Sequence, residues 1–115
     1  MTRAQTAVAF TFLTASDGTE GDQFGWRVVL HNNVLVVGAN QGDAAYVFLK
    51  SPSSLGSDRW VQRHKLTASD GASGDQFGIS TAIEKTSGRI AVGARLDDSG
   101  AGSAYIFEVE GVQSV

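Results

Sequence analysis

The chain has 115 residues, 42% of them apolar and 18% charged, with a net charge of −3, the composition of a single folded domain and not of a disordered segment. Acids and bases are scattered along it, so it carries no footprint for nucleic acid or an anionic membrane, and no apolar run reaches the roughly 18 residues that a membrane helix needs. Cysteine is absent, which excludes disulfides and thiolate metal sites.

The N-terminal "MTRAQTAVAFTFL" alternates apolar and polar residues without the continuous apolar core of a signal peptide. Its second half, Ala7–Leu13, reads as a strand. "LTASDGTEGDQFG" then begins at Leu13, and "LTASDGASGDQFG" begins at Leu66, two near-identical loops 53 residues apart. The echo continues with "VVGAN" at Val36 and "AVGAR" at Ala91, then "AAYVF" at Ala44 and "SAYIF" at Ser103. Spacing widens from 53 to 55 to 59 residues between these pairs, which places the added residues in loops. Self-similarity at this period is the mark of propeller blades or solenoid units.

Each copy divides into short β-type runs bounded by Gly, Asn, Asp and Ser. The first gives Phe24–His31, Val34–Ala39, Ala44–Lys50 and Trp60–Leu66; the second gives Phe77–Glu84, Arg89–Ala94 and Ser103–Val109. No stretch has helical apolar spacing. "VLVVGA" and "AAYVFL" are almost wholly apolar, the pattern of strands covered on both faces. The expected fold is all-β: two four-stranded antiparallel blades of propeller type. Residues 1–13 form an outer strand, 14–66 the first blade, and 67–115 a second blade that lacks its own fourth strand.

"FG" at Phe24-Gly25 and Phe77-Gly78, followed by "VGA" at Val37–Ala39 and Val92–Ala94, resembles the FG-GAP repeat of integrin-α-like β-propellers. The "LTASDG..GDQFG" form is similar to the version found in tandem in bacterial and algal extracellular proteins. The resemblance covers nearly the whole chain and implies four-stranded blades, an extracellular or cell-surface location, and adhesion or ligand binding. One departure is the missing proline of the "GAP", replaced by Asn40 and Arg95. In this frame Phe24 and Phe77 anchor the innermost strands, with Gly25 and Gly78 allowing close backbone approach. Val37, Val92, Tyr46 and Tyr105 complete the blade cores.

The loop acids Asp17, Asp22, Asp70 and Asp75 are turn formers beside Gly, and weaker candidates for calcium. Calcium-binding repeats of this family carry an Asp-rich loop between their first two strands. Here those loops are "HNN" at His31 and "EKTSG" at Glu84, so no cofactor is expected. Asp97-Asp98 is the best remaining acidic pair, and "DDSG" is more often a turn. His31 and His64 have no neighbouring nucleophile in a recognisable spacing, no phosphate-binding loop or N-glycosylation sequon occurs, and the protein is expected not to be an enzyme. Trp26 and Trp60 are core packing or, as the sharper reading, a stacking platform for a sugar.

The repeat is out of phase with the blades. "AVAFTFL" aligns with "WVQRHKL" (Trp60–Leu66), so the chain opens on an outer strand and closes on a blade that lacks one. Two blades cannot close a ring, since propellers have about four to eight. The expectation is that Ala7, Val8, Ala9, Phe10, Thr11, Phe12 and Leu13 pair in trans with Ser103, Ala104, Tyr105, Ile106, Phe107, Glu108 and Val109 of another copy. Phe10 and Phe12 stand where the internal strand carries the edge charges Arg63 and Lys65. Copies of the chain are therefore the expected partner, joined head to tail into a ring or filament. The alternatives are an adhesion or glycan-binding propeller module and an excerpt of a longer propeller.

Overall fold

The computed structural model describes residues 12–51 and 59–109. Strands β1 (Phe24–His31), β2 (Val34–Ala39), β3 (Ala44–Ser51) and β4 (Arg59–Leu66) form one antiparallel sheet in chain order. Strands β5 (Phe77–Ile83), β6 (Ile90–Ala94) and β7 (Ser103–Phe107) form a second, three-stranded sheet. The chain is all-β, and its only helical element among the described residues is a 3₁₀ turn at Asn40–Gly42. That turn fills the place of the family's proline, and the sequence reading passes over it.

The first two strands have the bounds expected from the sequence, while later ends shift by one or two residues. Glu84 falls outside β5 because its carbonyl accepts from Gly88 N–H at 2.8 Å, closing the turn to β6. Arg89 likewise precedes β6. Glu108 and Val109 follow β7 and belong to no strand, and the Glu108 carboxylate instead holds Arg89 Nε at 3.0 Å.

Both sheets begin with the same irregularity. Phe24 pairs with Ala39 and Arg27 with Gly38, so Gly25 and Trp26 bulge out of the ladder. Phe77 pairs with Ala94 and Ser80 with Gly93, so Gly78 and Ile79 bulge in turn. Gly25 and Gly78 hold φ of 100° and 99°, a region in which a side chain is strained. "FG" is therefore a bulge that bends the strand away from the preceding loop. Phe24 stacks edge-on against Tyr46 and Phe48 at 5.6 and 6.1 Å between ring centroids, and Phe77 repeats this against Tyr105 and Phe107 at 5.5 and 6.0 Å.

The middle strands explain why the sheets stack. Alternate residues point to opposite faces, and both faces of β2 and β3 are apolar. Val34, Val36, Ala45, Val47 and Leu66 of the first sheet meet Phe77, Ile90, Val92 and Ala94 of the second in one buried cluster. Val37, Ala39, Ala44, Tyr46 and Phe48 cover the other face of the first sheet. Glycine sets the distance between sheets. A Cβ on Gly78 would lie 2.2 Å from the Ala44 carbonyl oxygen, and one on Gly38 would lie 2.0 Å from that of Gly78.

The two anchors differ in burial. Phe77 is 1% exposed, whereas Phe24 is half-buried and Gly25 is exposed, with nothing within 4 Å of a Cβ placed there. This corrects the expectation of equal anchors. Phe77 lies between two sheets, and Phe24 has a sheet on one side only. Tyr46 is buried and Tyr105 half-buried because β4 flanks β3, while no described strand flanks the outer edge of β7. The proposed outer strand lies outside the described residues from Ala7 to Thr11. Phe12 and Leu13 are described and belong to no strand within the single chain.

Phe77→Ala should destabilise the protein by about 3–5 kcal/mol, the usual cost for a buried Phe. Phe24→Ala should cost distinctly less in the monomer. Chemical denaturation of both variants at low protein concentration checks the asymmetry.

Candidate functional site

The two "SDG..GD" loops place their carboxylates in matching positions. Asp17 Oδ1 accepts from the Tyr46 hydroxyl at 2.9 Å, and Asp70 Oδ1 accepts from the Tyr105 hydroxyl at 2.8 Å. Asp22 accepts from Thr19 N–H and Oγ1, each at 2.9 Å, and Asp75 accepts from Ala72 N–H at 2.8 Å. The first aspartate of each loop thus pins the loop to the third strand, and the second closes the turn. Lys65 of β4 adds an ion pair to Asp17 and lies over the Tyr46 ring, 5.8 Å from its centroid. The Lys65 ammonium, then the Tyr46 hydroxyl, hold the Asp17 carboxyl below its ordinary range. Burial, then the hydrogen bond to Asp17, pushes the Tyr46 phenol up.

Asp97 accepts from the same Tyr105 hydroxyl at 2.9 Å, and hydrogen bonds from Ser103 and then Tyr105 hold its carboxyl below the ordinary range. Its neighbour Asp98 is exposed and occupies left-handed backbone at φ 55°. Among the described residues no group of three or more His, Cys, Asp or Glu side chains is placed to hold a metal ion. His31 Nε2 lies 3.3 Å from the Asn32 side-chain amide, which is a turn contact at the β1–β2 hairpin.

Sequence reasoning missed Asp43. It follows the 3₁₀ turn at φ 55°, and its carboxylate reaches into the second loop. Oδ1 accepts from Gln76 N–H at 2.7 Å and Oδ2 from Gly74 N–H at 2.9 Å. This clamp is the polar half of the joint between the sheets. The only sequence signal for it is "QGD" before a strand, which reads as an ordinary turn.

The outer face of the first sheet forms an open groove of about 420 Å³ lined by Phe12, Leu13, Phe24, Val28, Leu35 and Trp60, among others. Trp60 is half-buried against that apolar face. Trp26 is 52% exposed and does not line the groove, so the structure does not bring the two tryptophans together there. On the far face of the second sheet a smaller depression of about 320 Å³ is lined by Ala82, Ile83, Ala91 and Ile106 together with Glu84 and Arg89.

The bulged strand start and the loop before it occur twice, and the family profile of the FG-GAP repeat matches the chain twice, over residues 10–48 and 60–107. The chain belongs to the FG-GAP repeat family. FG-GAP repeats are propeller-type modules, often involved in adhesion or ligand binding and typically extracellular. Searches of curated proteins and of solved structures returned no match. No helix among the described residues is long and apolar enough to cross a membrane.

Since the folded Asp17 carboxyl ionises below its ordinary value of 3.8, its contribution is complete above that value and is lost as pH falls through the lower, folded one. Asp17→Asn should therefore lower the thermal midpoint at neutral pH, and its deficit against the parent should close below pH 3.8. Melting curves across an acid series check this. A chelator should leave the midpoint unchanged, because turn amides, hydroxyls and Lys65 already engage the carboxylates of Asp17, Asp22, Asp70 and Asp75.

Proposed function

We propose that the chain is a non-enzymatic, extracellular assembly module whose FG-GAP blades join head to tail with copies of themselves. The observation that carries this reading is that the two open faces are the two halves of an interface the chain already makes. Phe24 and Leu35 on the groove side are the repeat equivalents of Phe77 and Ile90, which are 1% and 0% exposed between the sheets. On the far side Ile106 is 66% exposed, and its equivalent Val47 is 0% exposed. Ala91 and Ala104 of that face answer the fully buried Val36 and Ala45.

One copy's groove can therefore receive another copy's Ile106 face as the second sheet receives the first. A contact between two different faces of the same molecule is heterologous, and it closes into a ring or continues as a filament. The outer edge of β7, which no described strand flanks, supports strand donation as the second element. Tyr46 pairs across the ladder with Lys65, and the aligned N-terminal strand brings Phe12 to the equivalent place beside Tyr105. Phe12 is 88% exposed, a large apolar side chain suited to that position.

The second reading is a ligand-binding module that uses the groove beside Trp60. It is favoured by the aromatic lining, since such surfaces stack well on sugar faces.

Sedimentation of the full chain over a range of concentrations should give a mass that grows in ordered steps. Ile106→Asp should abolish growth while leaving the monomer's thermal midpoint nearly unchanged, because that side chain is exposed. A synthetic Ala7–Leu13 peptide should also block growth. A stable monomer at high concentration would rule out this function. Saturable glycan binding lost in Trp60→Ala, with mass unaffected, would put the groove reading in its place.

A further inference from the structure

The clamp at the internal joint has two unmatched halves elsewhere in the molecule. Its receiving half is the loop before β5, where Gly74 and Gln76 hold φ of 91° and 62° and aim their N–H groups at Asp43. The loop before β1 has the same shape, with Gly21 and Gln23 at φ 89° and 62°. Each bulge then begins with the same bond, Trp26 N–H to Gln23 O at 3.0 Å and Ile79 N–H to Gln76 O at 3.1 Å. Gly21 and Gln23 are exposed, and no described group accepts their N–H donors. The first loop is thus folded to receive a carboxylate that no described residue of its own chain delivers.

The delivering half also recurs. Gln41 N–H bonds the Asp22 carbonyl at 3.2 Å, and Leu96 N–H bonds the Asp75 carbonyl at 3.0 Å, which fixes the two post-β2 and post-β6 turns in register. Two residues beyond each lies an aspartate at φ 55°, Asp43 in the first turn and Asp98 in the second. The extra residues Ser99–Gly102 follow Asp98 and close on themselves, with Gly102 N–H bonding Asp97 O at 2.8 Å. The chain then enters β7 in the register of β3, Ala94 opposite Ser103 as Ala39 lies opposite Ala44. Asp98 is exposed, and no described donor engages its carboxylate.

We propose that Asp98 of one copy clamps the Gly21 and Gln23 amides of the next, as Asp43 clamps Gly74 and Gln76 within the chain. This rests on the head-to-tail reading above and adds the contact that sets its register. The occupant is a second copy, because the apolar and polar halves lie on the same pair of faces. Phe24 and its loop are on the receiving side, and Ile106 and Asp98 are on the delivering side. Apolar stacking alone tolerates sliding, whereas a carboxylate held by two backbone donors admits one position.

The test uses the full chain with Asp98→Gly, a residue that accepts φ 55° without strain, alongside Asp98→Asn. Loss of a charge-assisted pair of bonds should weaken association about ten- to a hundredfold in the glycine variant, and less in the asparagine variant, which keeps an acceptor. The monomer's thermal midpoint should be unchanged. Amide hydrogen exchange supplies a readout that a structural role for Asp98 would not move: Gly21 and Gln23 should be protected in the parent assembly and unprotected in assembled Asp98→Gly. Equal affinity of parent and glycine variant, with both amides exchanging freely, overturns the clamp and leaves head-to-tail association standing. A parent that never associates overturns both.

Discussion

Everything in this protein follows from the need to cover β2 and β3 on both faces. Val36 and Val47 point one way, and Val37, Tyr46 and Phe48 point the other, all of them buried. A single sheet with two apolar faces exposes more surface than hydrophobic burial can tolerate in water. The second sheet covers one face, while loop residues Leu13 and Ala15 and β4 residue Trp60 partly cover the other. The folded unit is therefore the stack, and a blade is only a fraction of it.

Stacking has a steric condition as well as an apolar one. Backbone meets backbone where Gly38 faces Gly78 and where Gly78 faces Ala44, so the sheets approach more closely than side chains would permit. The Asp43 carboxylate then fixes the angle by holding two amides of the next loop. Apolar area supplies most of the stabilisation at this joint, and the clamp and glycines supply its geometry.

The fold was legible because its causes are local and repeated. Short apolar β-type runs between Gly, Asn, Asp and Ser turns marked the strands, and the matched "FG" and "VGA" marked the repeat. The anchor role of Phe77 was readable for the same reason. The half-burial of Phe24 was not, since identical letters in identical local structure differ only in whether a sheet lies beyond them. That is a long-range fact. Asp43 escaped for a related reason: a carboxylate after a turn reads the same whether it caps its own loop or reaches a neighbour 31 residues away.

The loop before β1 is held entirely by its own blade. Ser16 and Gln62 exchange two hydrogen bonds of 3.0 Å, Asp17 ties it to Tyr46, and Asp22 closes the turn at Thr19. A surface fixed in this way before any encounter loses little conformational entropy when something docks on it. Docking there would be a rigid-body event, with differences in affinity among variants falling on how slowly the complex comes apart and little on how quickly it forms.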